Sequence, residues 1–347
     1  MIIVVSNRNI QGVNPRSKKL EVGDEKLFGD NFNAEGGPNE LRVATAEKNQ
    51  SGGGWKLTLQ PDITKQDGST ATQNLFEKLL KQIRDGKPGV AGNWVVFIHG
   101  FNQSLAKNLK KCQEIADSGV NVIAFSWPSN PGPNGGFFKA VKNKRQEYRK
   151  ARANARLSIT AVDRFMERMV RYAHSAMNEK CTLSVNLLVH SLGNFLFQKT
   201  VEEQVYTSDL SIFDNIILHQ ADADNADHEL WVDQLSDAKR VYVTINELDS
   251  VLKMSTIVNG RRLGNTAYGL NAGLPTYVDF SFGDSVGSSH RLFNPKLRRD
   301  NPVIDQFIHR LFNGKRAETI DGLIFNDATG AYQLNERPGE TEFDPIA

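Results

Sequence analysis

Short apolar runs alternate with longer amphipathic ones through most of this chain. Asn93–His99 (NWVVFIH), Val120–Trp127 (VNVIAFSW), Leu183–His190 (LSVNLLVH), Ile212–His219 (IFDNIILH) and Arg240–Asn246 (RVYVTIN) are short, β-branched and apolar on both alternations. That pattern predicts strands covered on both faces. Between them, Ala151–Met177 sets Leu157, Val162, Phe165, Met166, Met169 and Val170 at mostly helical spacing. Pro302–Phe312 does the same with Val303, Ile304, Phe307, Ile308 and Leu311, and its proline stands where a first helical turn tolerates one. Alternation of this kind predicts an α/β architecture, a mostly parallel central sheet with helices on both faces.

The first ninety residues follow the pattern less clearly. Met1–Asn7 and Trp55–Gln60 read as edge strands. The polar stretch between them, with Gly36-Gly37-Pro38 and Ser51–Gly54, reads as loops with little regular structure. No internal repeat and no second core emerge, so the expectation is a single domain over 1–347. Its parts are N-terminal strands and loops (1–90), a catalytic core (90–315) with a candidate lid at 131–156, and a C-terminal extension (316–347). Gly132–Gly136 (GPNGG) opens an irregular segment within that lid region.

Composition narrows the class. With 347 residues, 39% hydrophobic, and a formal charge of +2, nothing electrostatic points to nucleic acid or membranes in bulk. The apolar N-terminus is only a few residues long and lacks a basic leader, so it reads as a strand rather than a signal peptide. No run reaches the ~18 apolar residues of a membrane span. Cys112 and Cys181 fit no metal-site spacing and read as reduced thiols of a cytoplasmic protein. Export without a cleaved leader, and one disulfide, stay open.

The chemistry concentrates on Val189-His190-Ser191-Leu192-Gly193, which follows a strand directly and precedes the apolar, helix-like Phe195–Val201. A nucleophilic serine sits in such a strand–turn–helix elbow, usually written G-x-S-x-G. Here Val189 occupies the first position. A serine hydroxyl needs a base, and on sheets of this kind the acid and then the histidine follow the serine in chain order. Of the seven histidines, His99 and His190 lie at strand ends but precede the candidate acids, and His174 and His309 lie in helical segments. His219 ends a strand and His228 opens a helix-like stretch. His290 stands in the Gly/Ser loop after the strand-like Tyr277–Phe282 and is the expected general base. The acid is expected at Asp249, just past Arg240–Asn246, with Asp222 after the preceding strand as the alternative. Two backbone donors are expected for the oxyanion, the N–H of Leu192 and that of Phe101, where Gly100 permits close approach.

These segments resemble a bacterial α/β-hydrolase family of largely unassigned substrate. The resemblance rests on FIHGFN (Phe97–Asn102), FSWPS (Phe125–Ser129), VNLLVHSLGN (Val185–Asn194), NELDSVL (Asn246–Leu252), RLGNT (Arg262–Thr266) and GSSH (Gly287–His290), in that order. It covers roughly residues 90 to 315 and implies Ser191, Asp249 and His290 as a triad. Family members typically carry a small residue where Val189 stands. The N-terminal ninety residues gain nothing from it.

The expected activity is therefore that of an esterase- or lipase-type serine hydrolase. It would cleave a small-molecule or lipid ester, or a thioester, through an acyl-enzyme, with no cofactor and no metal. An acyltransferase with the same triad, or a non-catalytic binding module on this fold, are the alternatives. Three features invite other readings. Lys139–Arg156 carries eight Lys or Arg and one Glu, which reads as the solvated face of a helix rather than a nucleic-acid site. Peripheral membrane contact stays open. The Phe137-Phe138 pair is either a lid tip or core packing. Asp222–Glu229 is rich in oxygen ligands but lacks a calcium loop's glycine and downstream glutamate, and reads as strand-end polarity with a helix N-cap at Asp224, Asn225 or Asp227.

Overall fold

A computed structural model of the chain describes residues 1–14, 16–49, 53–61, 70–86, 92–129, 140–178, 183–203 and 210–335. The GPNGG stretch, the Phe137-Phe138 pair and Cys181 lie outside them. In chain order the elements begin with β1 (Ile2–Ser6), β2 (Arg8–Ile10), β3 (Glu21–Gly23), β4 (Phe28–Phe32), β5 (Arg42–Lys48), β6 (Trp55–Leu59) and α1 (Ala71–Arg84). The middle of the chain forms β7 (Asn93–Ile98), α2 (Leu105–Ala116), β8 (Asn121–Ser126), α3 (Ala140–Leu157), α4 (Ile159–Asn178), β9 (Ser184–His190) and α5 (Gly193–Glu202). The last part adds β10 (Phe213–His219), α6 (Glu229–Val232), β11 (Val241–Ile245), α7 (Ser250–Asn259), β12 (Thr276–Asp279), α8 (Pro295–Asp300), α9 (Pro302–Phe312), β13 (Ile324–Asn326) and β14 (Ala331–Gln333).

Among the described residues one sheet has twelve strands in the order β13-β14-β12-β11-β10-β9-β7-β8-β1-β5-β6-β3. It is parallel from β14 through β1 and antiparallel only toward its two ends. The period of two explains its two cores. On β7, Trp94, Val96 and Ile98 face a layer built with Phe165 of α4, Phe195 of α5 and Trp231 of α6, while Val95 and Phe97 face Leu109 of α2 and Phe307 of α9. Leu187 and Val189 against Leu188, and Ile216 and Leu218 against Ile217, repeat the division. Helix starts follow their capping residues: Ser104 for α2, Asn294 before Pro295 for α8, and Asn301 before Pro302 for α9.

Several expectations change. Met1–Asn7 is not an edge. β1 lies between β8, parallel, and β5, antiparallel, and all its residues are buried. The Trp55–Gln60 run is also covered, because β3 pairs beyond β6. The polar stretch between them holds four strands; β2 and β3 are three residues long, too brief for alternation to register as a pattern, whereas β5 runs over seven. The helix expected over Ala151–Met177 is two helices meeting at Ser158. Its hydroxyl donates to Asn154 O (2.8 Å) and accepts from Asn7 Nδ2 (3.0 Å), a back-bond that competes with helix continuation. Residues of the expected C-terminal extension return to the sheet as β13 and β14.

Candidate active site

β9 ends at His190 and α5 begins at Gly193, so Ser191 occupies the turn between them. Ser191 is one of few non-glycine residues with positive φ, 56°, a conformation strained for an L-residue and held here by its surroundings. Its N–H donates to His219 O (3.1 Å), while its carbonyl accepts from Asn194 N (2.9 Å) and Asp222 N (3.1 Å). The Asn194 side chain ties Val189 O and Ser191 O together (2.9 and 3.1 Å). Two glycines make the approach possible. A Cβ at Gly193 would lie 2.8 Å from Ile98 O, and one at Gly100 would lie 2.6 Å from Ser191 Cβ. Val189 presents no obstacle: it belongs to β9, paired between Ile98 and Leu218, with its side chain in the core layer of α4 and α5.

His290 and Asp249 meet. His290 Nδ1 stands 2.5 Å from Asp249 Oδ2, which also accepts from Gln220 Nε2 at 3.2 Å. The other oxygen, Oδ1, accepts from the N–H groups of Val251 (2.8 Å) and Leu252 (3.1 Å) and so caps α7. One buried carboxylate thus starts a helix and holds an imidazole. Ser191 and His290 both line a cavity of about 570 Å³, with the Ser191 hydroxyl making no hydrogen bond among the described residues. The N–H groups of Phe101 and Leu192 also find no partner among the described residues, although both belong to segments touching Ser191. Backbone donors left open beside a hydroxyl are suited to receiving an oxyanion.

Asp222 also lines the cavity, in a different role. Its Oδ1 accepts from Arg262 Nε (2.8 Å) and Ser255 Oγ (2.6 Å), and its Oδ2 accepts from Tyr148 Oη (2.9 Å). Burial, then the Asp222 charge, pushes the Tyr148 phenol up to about 12, so it keeps the proton it donates. Arg262 is fully buried and also pairs with Asp224. The segment Arg262–Gly264 runs alongside Ala221–Asp224, with Leu263 N on Ala223 O and Gly264 N on Ala221 O (both 2.9 Å). The polarity of Asp222–Asp224 is therefore that of an arginine clamp behind the elbow. The expected helix N-cap is not at Asp224, Asn225 or Asp227: His228 holds that position, without a side-chain cap bond. Among the described residues no three His, Cys, Asp or Glu gather to hold a metal ion.

The other strand-end histidines are structural. His190 Nε2 donates to His290 O (2.9 Å), since a carbonyl can only accept, and so anchors the loop of the expected base. His99 Nε2 accepts from Trp127 N (3.1 Å), and His219 Nε2 accepts from Leu292 N (3.2 Å). Burial holds His99 and His190 well below the usual imidazole range, and burial with the neighbouring His290, Arg291 and Lys111 charges pulls His219 down to about 3. His309 is exposed on α9.

Sequence reading missed three contributors. Gln220, at φ 41°, bridges Asp249 Oδ2 and Ser289 O (2.7 Å); Asn246 Nδ2 donates to Gly287 O and Ser289 O (3.0 and 2.8 Å). Arg8, from the N-terminal strands, is fully buried and donates to Gln103 O (2.6 Å), Ser126 Oγ (3.0 Å) and Gly29 O (3.0 Å), bracing the loop that carries Phe101. Amides just past strand ends were a usable signal for the first two. Arg8 carried none, because its partners lie far off in sequence.

A largely parallel sheet with interleaved helices, and a strained serine turn at the end of a central strand, define an α/β hydrolase. The chain belongs to the family described as an alpha/beta hydrolase of unknown function (DUF900), matched over residues 70–271. Neither curated proteins nor solved structures give a significant match. No helix among the described residues is long and apolar enough to cross a membrane.

Proposed function

We propose that the protein is a serine hydrolase cleaving a carboxylic ester, thioester or lipid ester through an acyl-enzyme, with Ser191, His290 and Asp249 as its triad. The observation that carries this reading is the His290–Asp249 bond beside a cavity into which the strained Ser191 opens. Asp249 fixes the proton on His290 Nδ1, which leaves Nε2 as the basic nitrogen. Ser191 Oγ attacks the carbonyl carbon while Nε2 takes the hydroxyl proton. The oxyanion is received by the N–H groups of Phe101 and Leu192. Collapse breaks the bond to the leaving alcohol or thiol, which takes the proton from His290. Water, deprotonated in turn by His290, attacks the acyl-enzyme, and the acid leaves with Ser191 regaining its proton.

Asp222 is read as a support for the elbow rather than as the acid. The twelve-stranded sheet, which takes in β1, β3, β5 and β6 of the N-terminal region while β2 and β4 pair separately, supports treating the chain as one domain. The test is a panel of acyl esters of varied chain length with wild type and Ser191→Ala, alongside labelling by a fluorophosphonate. Wild type should turn over esters and be labelled at Ser191, and Ser191→Ala should lose at least about a thousandfold in kcat/KM. Equal hydrolysis by both proteins would overturn the proposal.

A further inference from the structure

The cavity over Ser191 is lined by two chemistries. Val251, Met254, Ile257 and Val258 form a stripe on α7 that borders it while remaining 47%, 58%, 75% and 42% exposed. Singly such residues are unremarkable, but a contiguous apolar strip beside a reactive serine is what a hydrocarbon chain would cover. From Val251 to Val258 the strip runs about 10 Å along the helix, suited to a chain of medium length.

The second chemistry is cationic. Lys107 and Lys111, one turn apart on α2, and Arg145 on α3 also line the cavity. Among the described residues none of these three side chains has a hydrogen-bond or ion-pair partner. The carboxylates of the lining do not balance them. Asp222 is taken up by Arg262, Ser255 and Tyr148, which leaves Glu147 alone against three cations. Burial, with Arg291 adding to it and Glu114 opposing, lowers the Lys111 ammonium to about 7. A desolvated amine without a partner is a group that an incoming anion would stabilise in its charged form.

Building on the serine-hydrolase reading, we infer that the substrate is an anionic amphiphilic ester, its hydrocarbon chain lying along α7 and its carboxylate or phosphate received by Lys107, Lys111 and Arg145. An uncharged ester of the same length would leave the cations unsatisfied, and an anion without a chain would leave the α7 stripe in water.

Two matched pairs of probes test this. The first is the p-nitrophenyl ester of octanoic acid against the mono-p-nitrophenyl ester of octanedioic acid, which puts a carboxylate on the acyl end. The second is octanoylglycerol against octanoylglycerol phosphate, which puts the anion on the leaving alcohol. In at least one pair the anionic member should show kcat/KM about tenfold above its neutral partner, and the pair that does so identifies which side carries the charge. The double variant Lys107→Met/Lys111→Met should lower that ratio about tenfold, and Lys107→Arg/Lys111→Arg should keep it. Met254→Gln/Ile257→Gln should raise KM for octanoyl probes more than for acetyl ones. No anionic preference in either pair, with Ser191 still labelled by fluorophosphonate, would overturn the inference and leave the hydrolase reading standing. No labelling and no turnover of any probe would remove both.

Discussion

Asp249→Asn separates the two tasks of one carboxylate. In the native protein Oδ1 accepts from Val251 and Leu252 N–H, and Oδ2 accepts from His290 Nδ1 and Gln220 Nε2. Asparagine has one acceptor oxygen, and it can serve only one side. If the oxygen stays at the helix cap, the new NH2 faces His290. Nδ1 must then accept, the imidazole proton moves to Nε2, and the base is lost. The expected effect is about 10⁴-fold in kcat, or about 5 kcal/mol of transition-state stabilisation. The stability change should be small, about 1 kcal/mol, because Gln220 Nε2 retains its bond to Ser289 O. If the oxygen turns to His290 instead, the cap suffers, with about 1–2 kcal/mol lost from folding and a smaller loss in kcat. Steady-state ester hydrolysis and urea unfolding on the same preparation distinguish these outcomes. A variant with kcat within about tenfold of wild type and unchanged stability would refute the reasoning, since neither orientation permits both.

Other expectations follow from the same geometry. Gly100→Ala places a Cβ 2.6 Å from Ser191 Cβ and 2.9 Å from His190 O, so hydrolysis should fall at least about a hundredfold; wild-type rates would show that the loop can yield. Arg262→Met leaves the Asp222 carboxylate buried without its cation and should cost about 3–5 kcal/mol in denaturant unfolding, while a loss under about 1 kcal/mol would argue against the clamp. His99, His190 and His219 have folded pKa values lowered from 6.5, so the unfolded chain binds their protons first as pH falls. Stability should hold above 6.5 and decline below it, by up to about 1.4 kcal/mol per pH unit for each histidine, with the His219 contribution exhausted near pH 3. Urea midpoints that stay level between pH 6.5 and about 4.5 would contradict the assignment of these rings as neutral.

Much of the fold was legible because its strands are buried on both faces and therefore read as unbroken apolar runs. LSVNLLVH and IFDNIILH could hardly be anything else once helices were seen to separate them. The expected base, acid and nucleophile were nameable because this architecture sends functional residues to the carboxyl ends of successive strands, in chain order. The N-terminal region resisted because its strands are short and pair with neighbours that periodicity does not reveal. Ser158 hid the division of the long helix, since a single serine is compatible with an unbroken helix until its hydroxyl finds Asn154 O and Asn7.

Local chemistry thus set the alternation of elements, the serine turn and the helix caps, all of which depend on residues a few positions apart. Which carboxylate meets His290 was a different kind of question. Asp249 and Asp222 both follow strands, and although position favoured Asp249, no short stretch of sequence showed what would occupy Asp222. Packing decided it: Arg262, brought alongside Asp222 from forty residues away, occupies one carboxylate and leaves the other for the imidazole. Arg8 reached Gln103 in the same manner, across ninety-five residues. Contacts of that range follow from the register of a whole sheet and from the pairing of buried charge, neither of which has a signature in a short stretch of sequence.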